Sequence, residues 1–170
     1  MTDGPAPGPG FGPDTGEQLQ RALEFAYRYL NRRERTETEM RQRLERGGFA
    51  TPVIEETTAT LVEHGVLNDS RFARLFVEDK RTLERWGNDR ITRALIRRGI
   101  DRQLIAEALD DDSTQDELGR ALELLRDRFP NPPQDRRERD RALGVMLRKG
   151  YDSELAVDAL VVFARGVRLD

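Results

Sequence analysis

From residue 17 onward, apolar side chains recur with a helical period. Leu19, Leu23, Ala26 and Leu30 fall on one stripe, as do Phe72, Phe76 and Leu83, and again Ala121, Leu122, Leu125 and Phe129. Spacings of three and four place side chains on one side of a helix, so the pattern predicts amphipathic helices that bury one face. No alternating run competes with it. The reading is an all-α chain of nine helices.

Start and stop signals punctuate these helices. Thr36 with Glu39 forms a capping box, because hydroxyl and carboxylate can each satisfy an unpaired amide of the first turn. Thr51 before Pro52, Asn68-Asp69, Asn88, Asp101 and Asp152 are the other expected caps. Gly48, Gly99 and Gly150 stand where a left-handed residue ends a helix. The turn PNPP at 130–133 separates two helices of the last third.

Those three glycines are 51 residues apart each time. Around the last two, LIRRGIDRQLIAEAL (95–109) returns as MLRKGYDSELAVDAL (146–160) with six of fifteen positions identical. LERGGFATPVIEETT (44–58) is a third, blurred copy. Amphipathic helices in general explain shared leucines, but not a fixed register of glycine and cap. The chain therefore reads as three tandem three-helix repeats over residues 17–65, 66–111 and 112–170. A Gly/Pro-rich, disordered tail is expected over 1–16, where five glycines and four prolines raise backbone entropy and remove donors. Modules of this size cannot each bury a large core, so they are expected to stack in an elongated, curved array. Gly65-Val66-Leu67 and Asp110-Asp111-Asp112 are the expected joints.

Composition narrows the function. Charged residues make up 36% of 170, cysteine is absent, and no long apolar run or basic-apolar leader is present. A cytoplasmic protein without membrane span, disulfide or cysteine metal site is expected. The single histidine, His64, sits at a helix end beside Gly65, and Ser70, Ser113 and Ser153 lie at helix starts, where both types are ordinarily structural. Asp110–Asp112 favour the positive end of the next helix rather than holding calcium. No phosphate loop follows the GPGFGP run. The chain is read as non-enzymatic, with no cofactor and no metal.

Net charge is −3, but it is unevenly spread. Residues 28–46, 80–102 and 126–149 together carry +12 and the remainder −15. Positive charge is thus concentrated once per repeat. In the helix after Asn88, Ile91, Ala94 and Leu95 form the core side, while Arg90, Arg93 and Arg97 line the other. Arg98 stands nearer the core edge, where the helix dipole partly accounts for it. The corresponding place in the other repeats holds Arg46, and Arg148 with Lys149. A solvated face with ion pairs is the plain alternative. Three aligned clusters suit a phosphate backbone or an acidic protein surface. Trp86-Gly87 suits a stacking platform, although a tryptophan joining two helices is more often core.

The stretch GVLNDSRFARLFVEDKRTLERWGNDRITRALIRRGI (65–100) resembles the signature of RecX regulatory proteins. LNRRERTETEMRQRLERGGF (30–49) is similar to that family's first repeat, and LRKGYDSELAVDAL (147–160) to its closing segment. The likeness runs over about 20–165, and departs at Met40, Gly47 and Asn68, where leucine, a basic residue and aspartate are usual. The resemblance implies a modulator of the bacterial recombinase RecA that binds RecA–DNA filaments and inhibits ATP hydrolysis and strand exchange. It makes the RecA filament the partner, with single-stranded DNA reached weakly or through the filament. Arg46, Arg90, Arg93, Arg97, Arg98, Arg148 and Lys149 are the expected contacts of a monomeric protein. A helix-turn-helix-like DNA-binding regulator remains the alternative.

Overall fold

The computed structural model describes residues 13–110 and 114–166, and its regular structure among them is entirely helical. The chain forms two compact units, Met1–Asn68 and Asp69–Asp170.

The first unit holds α1 (Pro13–Leu30), α2 (Glu37–Arg46) and α3 (Thr51–Glu63). Helix α1 begins at Pro13, inside the stretch expected to be tail, and a proline at a helix start forfeits only an amide that has no partner there. Residues 1–12 lie outside the described residues. Thr36 caps α2 as expected: its hydroxyl accepts from Glu39 N–H at 3.1 Å, and its own N–H donates to Glu39 Oε2 at 3.4 Å. Helix α3 differs from expectation. Its cap is Ala50, which offers no side-chain acceptor, and Thr51 is already helical. Pro52 removes one amide from the first turn, so fewer donors need an acceptor.

The core of this unit joins Ala22 and Ala26 of α1, Met40 and Leu44 of α2, and Val53, Ile54 and Leu61 of α3. Each fully buried Met or Leu contributes about 2 kcal/mol. Val66 and Leu67, within the stretch expected as a joint, pack on this core. Gly65 turns left-handed at φ +67°, the amides of Val66 and Leu67 both donate to Leu61 O, and Leu67 is only 1% exposed.

The second unit contains α4 (Asp69–Thr82), α5 (Asn88–Arg97), α6 (Arg102–Leu109), α7 (Thr114–Arg128), α8 (Arg136–Lys149) and α9 (Ser153–Ala164). Helix α4 pairs with α6 around Phe72, Ala73, Val77, Ile91, Leu95, Ile100 and Ile105. Helix α7 pairs with α9 around Leu122, Leu125, Met146, Tyr151, Leu155 and Phe163. Leu83, placed on the apolar stripe by its spacing, is 76% exposed because α4 stops at Thr82. Asp101 and Asp152 cap α6 and α9 through the amides of Gln103 and Glu154, at 2.7 and 2.8 Å. Asn88 does not cap α5. Gly87 occupies that position, and Asn88 directs its amide group at Glu117.

The two halves of this unit meet end to end. The last carbonyls of α8 enter the first turn of α5: Lys149 O accepts from Gly87 N–H at 2.9 Å and Gly150 O from Asp89 N–H at 3.2 Å. Glu117 of α7 completes that turn, accepting from Asn88 N–H and Asn88 Nδ2, each at 2.9 Å. Arg85 pairs with Glu123 and Asp127 of the same helix at 3.3 and 3.0 Å. Tyr151, 2% exposed, donates its hydroxyl to Arg85 O at 2.9 Å, and burial holds its phenol well above the usual range.

Candidate functional site

The seven basic residues singled out by their repeated position divide into two groups. Arg93 and Arg97 of α5, Arg148 of α8 and Arg46 of α2 are exposed. Arg93 Nε reaches back to Asp89 O at 3.2 Å, an intrahelical bond that leaves most of the guanidinium in solvent. These cations are held on rigid helices by the buried faces beneath them, Ile91, Ala94 and Leu95 in α5 and Ala142 and Met146 in α8.

The other three are drawn into packing. The Arg90 guanidinium lies 4.0 Å above the Trp86 ring and donates to Arg148 O at 3.0 Å. Arg98 covers Phe72 and Phe76, at 5.5 and 5.4 Å from their ring centres. Lys149 Nζ donates to Glu84 O at 2.7 Å. Burial, and then the neighbouring Arg90 cation, hold the Lys149 ammonium below the usual lysine range. Glu84 is lowered chiefly by its hydrogen bond from Lys80. Trp86 itself packs edge-on to Phe76 beneath Arg90 and Lys80, so its ring is engaged within the unit.

His64 closes α3, its amide donating to Thr60 O at 3.0 Å, and its side chain faces solvent. No helix among the described residues is long and apolar enough to cross a membrane.

Sequence spacing did not single out a second constellation in the first unit. Arg28 in the last turn of α1, Arg32 and Arg35 in the following segment, and Arg43 and Arg46 in the last turn of α2 surround one open cleft of about 480 Å³. Phe25 and Tyr29 complete its lining. Arg35 stacks on Tyr29 at 4.1 Å, and Arg43 on Phe25 at 4.8 Å and on Tyr29 at 5.6 Å. The clustered arginines of 28–46 were the only signal in the sequence. Their convergence depends on how α1 turns back onto α2.

The chain matches the models of the first and second RecX three-helix domains, over residues 22–61 and 68–109 respectively. These spans coincide with the bodies of α1–α3 and α4–α6. Regulatory protein RecX of Mycobacterium sp. (strain JLS) is 30% identical over 166 residues, covering 92% of this chain and 91% of that relative. Regulatory protein RecX of Deinococcus radiodurans is 33% identical over 144 residues, covering 85% of this chain and 69% of that relative. The crystal structure of RecX from Lactobacillus salivarius shares the fold, with a TM-score of 0.79 at 19% identity, covering 89% of this chain and 99% of that one. The repeated glycine-and-cap register, the three-helix groups and these likenesses agree: the chain belongs to the RecX family of regulatory proteins.

Proposed function

We propose that this protein is a non-enzymatic, cytoplasmic regulator that binds RecA–single-stranded DNA filaments and inhibits their ATP hydrolysis, growth and strand exchange. Family membership supports the partner, which the arginines alone do not name. The observation that carries the mode of action is the exposed pair Arg93 and Arg97, one turn apart on a buried-face helix, with Arg148 exposed in the same unit. Fixed guanidiniums of this kind suit phosphate oxygens or the carboxylates of an acidic protein surface. No cofactor or metal takes part in this reading. Arg90, Arg98 and Lys149 contribute by holding the surface in shape, and Arg46 belongs to the first unit. The helix-turn-helix alternative gains little from α9, whose exposed Glu154, Val157, Asp158 and Val161 offer no side-chain donor to a base edge.

RecA ATPase activity on single-stranded DNA, titrated with the protein, tests the proposal. Inhibition below one molecule per RecA is expected, and R93E/R97E should relieve it. Unchanged hydrolysis in the presence of folded protein would overturn the reading. Inhibition undiminished in the double variant would remove these two arginines from the site.

A further inference from the structure

The cleft between α1 and α2 gathers five guanidiniums, from Arg28, Arg32, Arg35, Arg43 and Arg46. None of them forms an ion pair with a carboxylate among the described residues. Elsewhere the same chain does pair its arginines: Arg41 on the neighbouring turn of α2 binds Glu37 and Glu55 at 3.3 and 3.4 Å, and Arg85 binds two acids.

Helix dipoles account for part of the cluster, since Arg28, Arg43 and Arg46 stand in last turns. They do not account for Arg32 and Arg35, which lie between the helices. Arg35 carries a further mark: its Nε is buried without a hydrogen-bond acceptor. A buried guanidinium N–H left unsatisfied is unfavourable, and an anion in the cleft would supply the acceptor it lacks. The like charges around it also repel one another until an anion enters.

We infer that this cleft is a binding site for single-stranded nucleic acid, with a backbone phosphate held among the five arginines. The floor favours a strand over an acidic polypeptide. Phe25 and Tyr29 lie beneath the guanidiniums of Arg35 and Arg43, and unpaired bases stack on aromatic and arginine faces alike. A duplex keeps its base faces covered and could use only the charge. The site operates without RecA, so it does not rest on the function proposed above.

The test is fluorescence anisotropy of labelled oligo(dT) with the full chain and no RecA, across a range of salt. The variant is R32E/R46E, whose residues are exposed and make no side-chain hydrogen bond or ion pair among the described residues; circular dichroism verifies its fold. Binding that weakens as salt rises is expected. The double reversal should weaken it about tenfold or more, and flatten the log–log salt slope by about 0.7 as the contact to that single-strand phosphate goes. Equal affinity and slope for wild type and variant would overturn the site. Equal competition by duplex would overturn the preference for single strands. Binding of poly-glutamate with none of oligo(dT) would reassign the cleft to an acidic protein partner. A loss of oligo(dT) binding that leaves RecA inhibition intact would uphold this site and separate it from the filament surface.

Discussion

Gly87 and Gly150 interlock. A β-carbon on Gly87 would stand 2.3 Å from Gly150 O, and one on Gly150 would stand 2.3 Å from the Arg90 β-carbon. Both obstacles are close to the backbone, so neither can swing aside. Gly150 also needs its left-handed φ of +88° to end α8. The glycine that closes one repeat is therefore also the surface on which the preceding repeat rests.

Gly87→Ala should destabilise the second unit by about 3 kcal/mol, at the upper end for overpacking. Gly119→Ala supplies the contrast, because Gly119 lies within α7 with nothing near its missing β-carbon. It should stabilise by about 0.5–1 kcal/mol. Urea denaturation followed by the emission of Trp86, the sole tryptophan, reads both. Equal midpoints for the two variants would refute the interlock.

Glu117 acts as a cap supplied from another helix. Removing it in Glu117→Ala leaves Asn88 N–H and the Asn88 amide without their acceptor, and should cost about 1–2 kcal/mol. Glu117→Gln keeps one acceptor oxygen and should cost less. A double-mutant cycle with Asn88→Ala measures the coupling, expected near 1 kcal/mol; a coupling of zero would mean the pair contributes nothing.

Tyr151 links stability to alkaline pH. Its folded-state pKa lies above the ordinary 10.0, so the folded protein keeps a proton that the unfolded chain gives up. The associated stability is fully present below pH 10.0 and declines as pH rises beyond it. Tyr151→Phe should cost about 1 kcal/mol at neutral pH, through the lost bond to Arg85 O, and should flatten the alkaline decline. Parallel pH–stability curves for the two proteins would contradict this assignment.

Arg90 and its neighbours on α5 should separate in stability assays. Arg90→Ala loses the stacking on Trp86 and the bond to Arg148 O, and should cost about 1–2 kcal/mol. Arg93→Ala and Arg97→Ala should fall within about 0.5 kcal/mol of wild type, as exposed substitutions do. Thermal unfolding of the three variants, set beside their effects on RecA, distinguishes scaffold from contact.

The fold was legible where one residue type answers one local demand. Gly48, Gly99 and Gly150 all take positive φ, between +80° and +88°, and Thr36, Asp101 and Asp152 all cap as their types suggest. Thr51 and Asn88 were misread because a good capping residue one place late looks the same in sequence. At both starts the cap is Ala50 or Gly87, and the polar residue after it has turned helical. The arginine surface was only half legible. Spacing found the outer face of α5, but it could not show that Arg90, Arg98 and Lys149 fold onto Trp86, Phe72, Phe76 and Glu84 O, partners up to 65 positions distant. The cleft of Arg28, Arg32, Arg35 and Arg43 was hidden for the same reason.

The end-to-end meeting of α8 and α5 has an electrostatic consequence. Two peptide dipoles joined in series cancel at their junction, as two bar magnets do when touched pole to pole. The terminal carbonyls of α8 already find their complement in the amides of Gly87 and Asp89. Arg148, in the last turn beside that junction, is therefore not needed to complement its own helix terminus, and it stands exposed to solvent.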